Sequence, residues 1–128
     1  MSASPRHVLL VEDEPGTMTT VALLLEMLGH RVSRAANGKR ALAMLLQERP
    51  DVVVTDYMMP HMNGLELIAA MKADASLETV PIVLTSAAMP AHVDSQVAAD
   101  AFLRKPYRID ELTGAIDRAL LRRRTPPP

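Results

Sequence analysis

Asp51-Val52-Val53-Val54-Thr55-Asp56-Tyr57-Met58-Met59-Pro60-His61-Met62-Asn63-Gly64 is the stretch on which the fold turns. Its valines form an unbroken apolar run, which suits a strand covered on both faces, because a strand with one wet face would alternate. The run stops at the carboxylate of Asp56, and Pro60 to Gly64 reads as a loop. Leu65, Ile68 and Met71 then mark a helix. A buried strand, a polar tip, a loop and a helix follow one another in that order.

The same unit recurs on both sides. Upstream, Val8 to Val11 is a second buried strand, followed by a helix over Thr17 to Leu28 whose Val21, Leu24, Leu25 and Leu28 share one face and which ends near Gly29. Val32 to Ala36 alternates with Ser33 and Arg34, as a half-exposed edge strand would. Asn37-Gly38 marks a turn, and Ala41, Leu42, Leu45 and Leu46 stripe the helix after it. Downstream, Ile82-Val83-Leu84 is a buried strand with Pro81 at its start, Ala91 to Ala99 a shorter helix, and Ala101-Phe102-Leu103 a brief strand. Leu112, Ile116 and Leu120 line a last helix whose first turn carries Asp110 and Glu111, on the positive end of the helix dipole. Five strands alternating with five helices imply an α/β fold, with right-handed crossovers and helices on both faces of a parallel sheet.

Composition narrows the partners. The chain has 128 residues, 48% apolar content and a net charge of -1, which fits one globular domain and favours neither nucleic acid nor a membrane as partner. Cysteine is absent, so there is no disulfide framework and no thiolate nucleophile or ligand. Nothing resembles a signal peptide or a span, and the expected location is cytoplasmic without membrane insertion. The aromatics are Tyr57, Phe102 and Tyr107, too few for a base-stacking platform. Arg122-Arg123-Arg124 is a cationic helix end rather than a nucleic-acid patch, and Thr125 to Pro128 is a tail or the start of a linker.

Ligands of open parallel sheets bind beyond the carboxyl ends of the strands. Glu12-Asp13-Glu14 follows the first strand, Asp56 the third, Thr85-Ser86 the fourth and Lys105-Pro106 the fifth. Singly these are ordinary caps and surface groups. Together they crowd like charges on one edge, which repel unless a cation sits among them. Hard oxygen donors of this kind suit Mg²⁺, with Mn²⁺ as the alternative. Asp56 can then attack phosphorus, Asp13 with Glu12 can hold the metal, and Lys105 and Ser86 can bond phosphoryl oxygens.

Four segments, His7 to Glu14, Asp56 to Gly64, Pro81 to Ala87 and Lys105-Pro106-Tyr107, resemble in order and spacing the receiver domains of two-component response regulators. The resemblance covers residues 6–122 as the domain, with 123–128 as flexible tail or linker start. It implies a flavodoxin-like three-layer sandwich with a sheet of order 2-1-3-4-5. It implies transfer of a phosphoryl group to Asp56 from a histidine kinase or histidine phosphotransfer protein, and a signal to a downstream protein without direct nucleic-acid contact. It further implies Mg²⁺ bound by Asp13, Asp56 and the backbone carbonyl of Met58, with Glu12 acting through water, and a cis Lys105-Pro106 bond. Ser86 matches the switch hydroxyl, with Thr85 as the alternative, and Phe102 the switch aromatic. The chain departs from the family pattern in a shorter stretch between Ser86 and Lys105 and in Ala99-Asp100-Ala101, where Gly-Ala is usual. Met58 and Ala88 carry no polar group to orient water, so slow self-dephosphorylation is expected. The competing readings are a constitutive interaction module of the same fold and a hydrolase with an aspartate nucleophile, which would want a second acid where Met58 stands.

Overall fold

The computed structural model describes residues 5–59, 61–87 and 99–124. The strands are β1 (His7–Val11), β2 (Arg31–Ala35), β3 (Val52–Asp56), β4 (Ile82–Ser86) and β5 (Ala101–Arg104). The helices are α1 (Pro15–Met27), α2 (Gly38–Gln47), α3 (Gly64–Lys72) and α4 (Ile109–Arg124). All strands are parallel, in the order β2-β1-β3-β4-β5. The helix expected over Ala91–Ala99 lies, apart from Ala99, outside the described residues. Four helices are therefore described against the five expected, and Pro60, Ala88 and the tail Thr125–Pro128 are likewise outside.

The unbroken apolar runs have a simple cause: neighbouring residues on a strand face opposite layers. Leu9, Val53, Ile82 and Leu84 pack with Ala41 and Leu45 of α2 and Leu67 and Met71 of α3. Val8, Leu10, Val52, Val54 and Val83 pack on the other face with Ala22 and Leu25 of α1 and Leu112, Ala115 and Ile116 of α4. Each large aliphatic side chain buried this way contributes roughly 1.5–3 kcal/mol. The edge strand β2 is wet over much of its length, as its Ser33 and Arg34 foretell, and the other edge strand, β5, is buried at Ala101 alone.

Helix ends are set by local chemistry. Glu14 caps α1, accepting from the N–H groups of Thr17 (2.6 Å) and Gly16 (3.2 Å), with Pro15 in the first position where it gives up no bond. Asn37 caps α2 through the N–H of Arg40 at 2.8 Å. Asn63 and Glu66 form a reciprocal capping box on α3, both bonds at 2.9 Å. Gly29, at φ 97°, ends the first helix by donating to the Glu26 carbonyl in a conformation that costs other residues a Cβ clash.

The same side chain on one helix separates core from surface. Leu112 is fully buried, whereas Leu121 is 64% exposed. Leu112→Ala should lower stability by about 2–5 kcal/mol in urea unfolding, and Leu121→Ala by no more than about 0.5 kcal/mol. Equal losses would contradict the packing of α4 described above.

Candidate functional site

The parallel sheet brings its polar strand ends to one edge. Glu12 follows β1 and is buried; its backbone N–H donates to the Ala35 carbonyl at 3.0 Å. Asp56 is the last residue of β3 and only 8% exposed. Because β1 and β3 are neighbours, the two carboxylates stand side by side. Lys105 comes from beyond β5, its backbone N–H donating to the Ser86 carbonyl at 2.9 Å. Its Nζ donates to Glu12 Oε1 at 2.6 Å and to Asp56 Oδ2 at 3.2 Å. Residues far apart in the chain thus meet in one ion cluster. The other oxygen of Glu12 accepts the Glu14 N–H at 3.2 Å, so both of its oxygens are engaged.

Three carboxylates gather at this edge, two of them bonded to that ammonium. Glu12, Asp13 and Asp56 each offer an oxygen, and these oxygens lie within 4.8 Å of one another. Oxygens on opposite sides of a Mg²⁺ stand roughly 4 Å apart, and the donors are all hard, so the residues fit a small divalent cation. The charges act on one another as the crowding dictates. Burial pushes the Asp56 carboxyl above the usual carboxylate range; the Lys105 ammonium opposes the rise, while the charges of Glu12 and Asp13 add to it. Burial by itself would lower Lys105, but its hydrogen bond to Glu12 and the charges of Asp56 and Glu12 outweigh that, and its pKa is raised.

Of the other residues expected at the site, Ser86 and Thr85 are both buried at the end of β4. Thr85 is paired in register with Asp56 and lies on the strand face of Val83; Ser86 lies on the face of Leu84, to which Phe102 also belongs. Phe102 is half-buried on β5, in register with Leu84. Met58 follows Asp56 with its side chain 65% exposed. The Lys105-Pro106 peptide is cis, as the family resemblance implies.

Two residues of the site carried no assigned role in the sequence. Gly64 brings α3 against the tip of β3: a Cβ there would overlap the Asp56 carbonyl oxygen, and its N–H donates to the Tyr57 carbonyl at 2.9 Å. In the sequence Gly64 reads as the end of the Pro60 to Gly64 loop, with no sign of the close approach. Tyr107 joins Thr17, Val21, Ala87, Lys105 and Pro106 around a cleft of about 380 Å³ beside the cluster, and burial pushes its phenol up.

The comparisons with known proteins point one way. The family model for the response regulator receiver domain matches residues 8–117. The response regulator Rre1 of Synechocystis sp. is 39% identical over 125 residues, covering 94% of this chain and 54% of that protein. The two-component response regulator ORR3 of Oryza sativa subsp. indica is 33% identical over 120 residues, covering 91% of this chain and 92% of its own length. Among solved structures, the receiver domain of the sensor histidine kinase PA1611 of Pseudomonas aeruginosa PAO1, with a magnesium ion coordinated in its active site cleft, has a TM-score of 0.84 at 27% identity. That match covers 91% of this chain and 98% of the other. The chain spans about half the length of the first curated relatives it matches. Among the described residues no helix is long and apolar enough to cross a membrane.

The raised pKa of Asp56 has a consequence for stability. A carboxyl whose pKa is higher in the folded chain than in the unfolded one adds stability below the ordinary carboxylate pKa, and that contribution is lost as pH rises through the folded value. Ionised Asp56 therefore costs stability at neutral pH when no metal is bound. Asp56→Asn should raise the thermal midpoint of the metal-free protein at neutral pH by roughly 4 °C, about 1 kcal/mol. The advantage should shrink as the pH falls. Thermal scans in chelator at neutral and acid pH measure it, and a lower midpoint for the variant at neutral pH would mean that the Lys105 contact outweighs the burial.

Proposed function

The chain belongs to the response regulator receiver domain family, and on that footing we propose that it is a phosphoacceptor switch whose Asp56 takes a phosphoryl group from a histidine kinase or histidine phosphotransfer protein. The observation that carries this reading is the bridge from Lys105 to Glu12 and Asp56, which sets a nucleophile, a cation and a metal-binding carboxylate against one another at the sheet edge.

The ionised carboxylate of Asp56 attacks phosphorus. Its oxygen forms a bond to phosphorus as the bond from phosphorus to the donor's imidazole nitrogen breaks, and that nitrogen leaves with the electron pair. Mg²⁺, or Mn²⁺ in its place, when bound by Asp13, Asp56 and the Met58 backbone carbonyl with Glu12 acting through water, would offset the charge of the incoming phosphoryl oxygens. Lys105 already points its ammonium at Asp56, and it pairs with a phosphoryl oxygen once the adduct forms. The Ser86 hydroxyl donates to another oxygen. Its movement frees room on the face it shares with Phe102, which turns inward and alters the surface a downstream protein reads. The acceptor is consumed once per adduct, so the chain is a switch rather than a turnover enzyme.

The domain in this reading covers residues 6–122, and 123–128 lead away from it. A cytoplasmic location accompanies the proposal, in keeping with a chain that lacks cysteine. The exposed apolar side chain of Met58 orients no water beside the adduct, so the adduct outlives removal of the donor.

Intact mass after incubation with acetyl phosphate and Mg²⁺ tests the proposal. One added phosphoryl group is expected, lost in Asp56→Asn and in chelator, and persisting after the donor is removed. No adduct from acetyl phosphate or from candidate kinases, with Mg²⁺ binding also absent, would favour the constitutive interaction module. Rapid loss of the adduct without a phosphatase would overturn the role given to Met58.

A further inference from the structure

The far end of β5 holds a second buried carboxylate. Asp100 immediately precedes the strand, and its side chain is 2% exposed. It is tied to β4 in both directions: its N–H donates to the Ile82 carbonyl at 2.8 Å, and its Oδ2 accepts the Ile82 N–H at 2.9 Å. Its Oδ1 faces Arg122 Nε, in the last turn of α4, at 3.7 Å. A carboxylate withdrawn from water needs compensation at each oxygen, and here one oxygen receives a backbone donor while the other faces a cation.

The two ends of β5 are therefore held in different ways. At the carboxyl end Lys105 is bonded to Ser86, Glu12 and Asp56. At the amino end Asp100 is bonded to Ile82 and paired with α4. Four residues separate these anchors, Phe102 among them, so the strand is too short to absorb a displacement at one end without passing it to the other. The Arg122 side chain is mostly exposed, which makes the pair weak enough to open when its geometry changes.

We propose that Asp100 and Arg122 form a latch that ties the last turn of α4 to the start of β5, and that a shift of β5 on phosphorylation releases it, changing the order of the C-terminal end of the helix. The trigger rests on the phosphoacceptor reading; the latch itself does not.

Amide hydrogen exchange over residues 120–124 tests both parts, in the wild type and in Asp100→Asn, Arg122→Gln, Arg122→Lys and the double variant Asp100→Asn/Arg122→Gln. Each is compared with and without acetyl phosphate and Mg²⁺, and intact mass reports the adduct on the same samples. Arg122→Gln should speed exchange of these amides roughly three- to tenfold while the first turn of α4 is unchanged, and Arg122→Lys should restore part of the protection. The double variant should exchange no faster than either single one, because both remove the same contact. Phosphorylation should speed these amides in the wild type and leave them unchanged in Arg122→Gln. Unaltered exchange in Arg122→Gln, or additive effects in the double variant, would overturn the latch. Should Asp100→Asn fail to fold, the Arg122 variants decide the matter alone. A phosphorylation response that survives in Arg122→Gln would overturn the release step. A missing adduct would remove the trigger and leave the comparison without acetyl phosphate to judge the contact.

Discussion

The ammonium of Lys105, held between Glu12 and Asp56, is the interaction on which the rest of the site depends. Carboxylates brought together at a sheet edge repel, and partial burial deepens the cost by withdrawing the water that would screen them. One lysine from a distant part of the chain offsets part of that repulsion and leaves the remainder. The remainder leaves the cluster short of positive charge, and its hard oxygens fit a divalent cation. Lys105 holds the carboxylates at this edge together.

The topology makes this possible at little cost. Placing β1 next to β3 sets Glu12 beside Asp56, and the order β3-β4-β5 brings the ends of β4 and β5 up to the same edge. The apolar runs inside the strands lock the register, since a slip of one residue would turn each side chain to the other layer. Gly64 then lets α3 come close enough to press on the tip of β3, so Asp56 sits on a braced strand end rather than on a free loop. Core packing and site geometry are two consequences of the same alternation.

Much of this was legible in the sequence. Val52-Val53-Val54 and Ile82-Val83-Leu84 announce strands with two covered faces, and the polar residues after each run, Thr55-Asp56 and Thr85-Ser86, come to one edge. Strand limits were less legible: alternation pointed to Val32–Ala36, whereas β2 covers Arg31–Ala35, because its ends are fixed by pairing with His7 to Val11 of β1. The first helix begins at Pro15, two residues before the expected start at Thr17, since Glu14 and Pro15 start it by capping rather than by hydrophobic period. Close approaches were invisible. Gly64 looks like the end of a loop until the Asp56 carbonyl is found against it, and Asp100 looks like a departure from the family pattern until Ile82 and Arg122 are found around it. Such contacts depend on which strands end up adjacent, which local pattern does not encode.

The central claim is that Asp56 is the atom-bearing acceptor, and trapping the adduct chemically tests it most directly. Borohydride reduces an aspartyl phosphate to homoserine, so treatment of the phosphorylated protein followed by peptide mass mapping identifies the residue that carried the group. The account predicts homoserine at position 56 alone, formed only when Mg²⁺ was present during phosphorylation. Conversion at Asp13 or Glu12, or a stable phosphate on the hydroxyl of Ser86 or Thr85 with Asp56 unaltered, would contradict it.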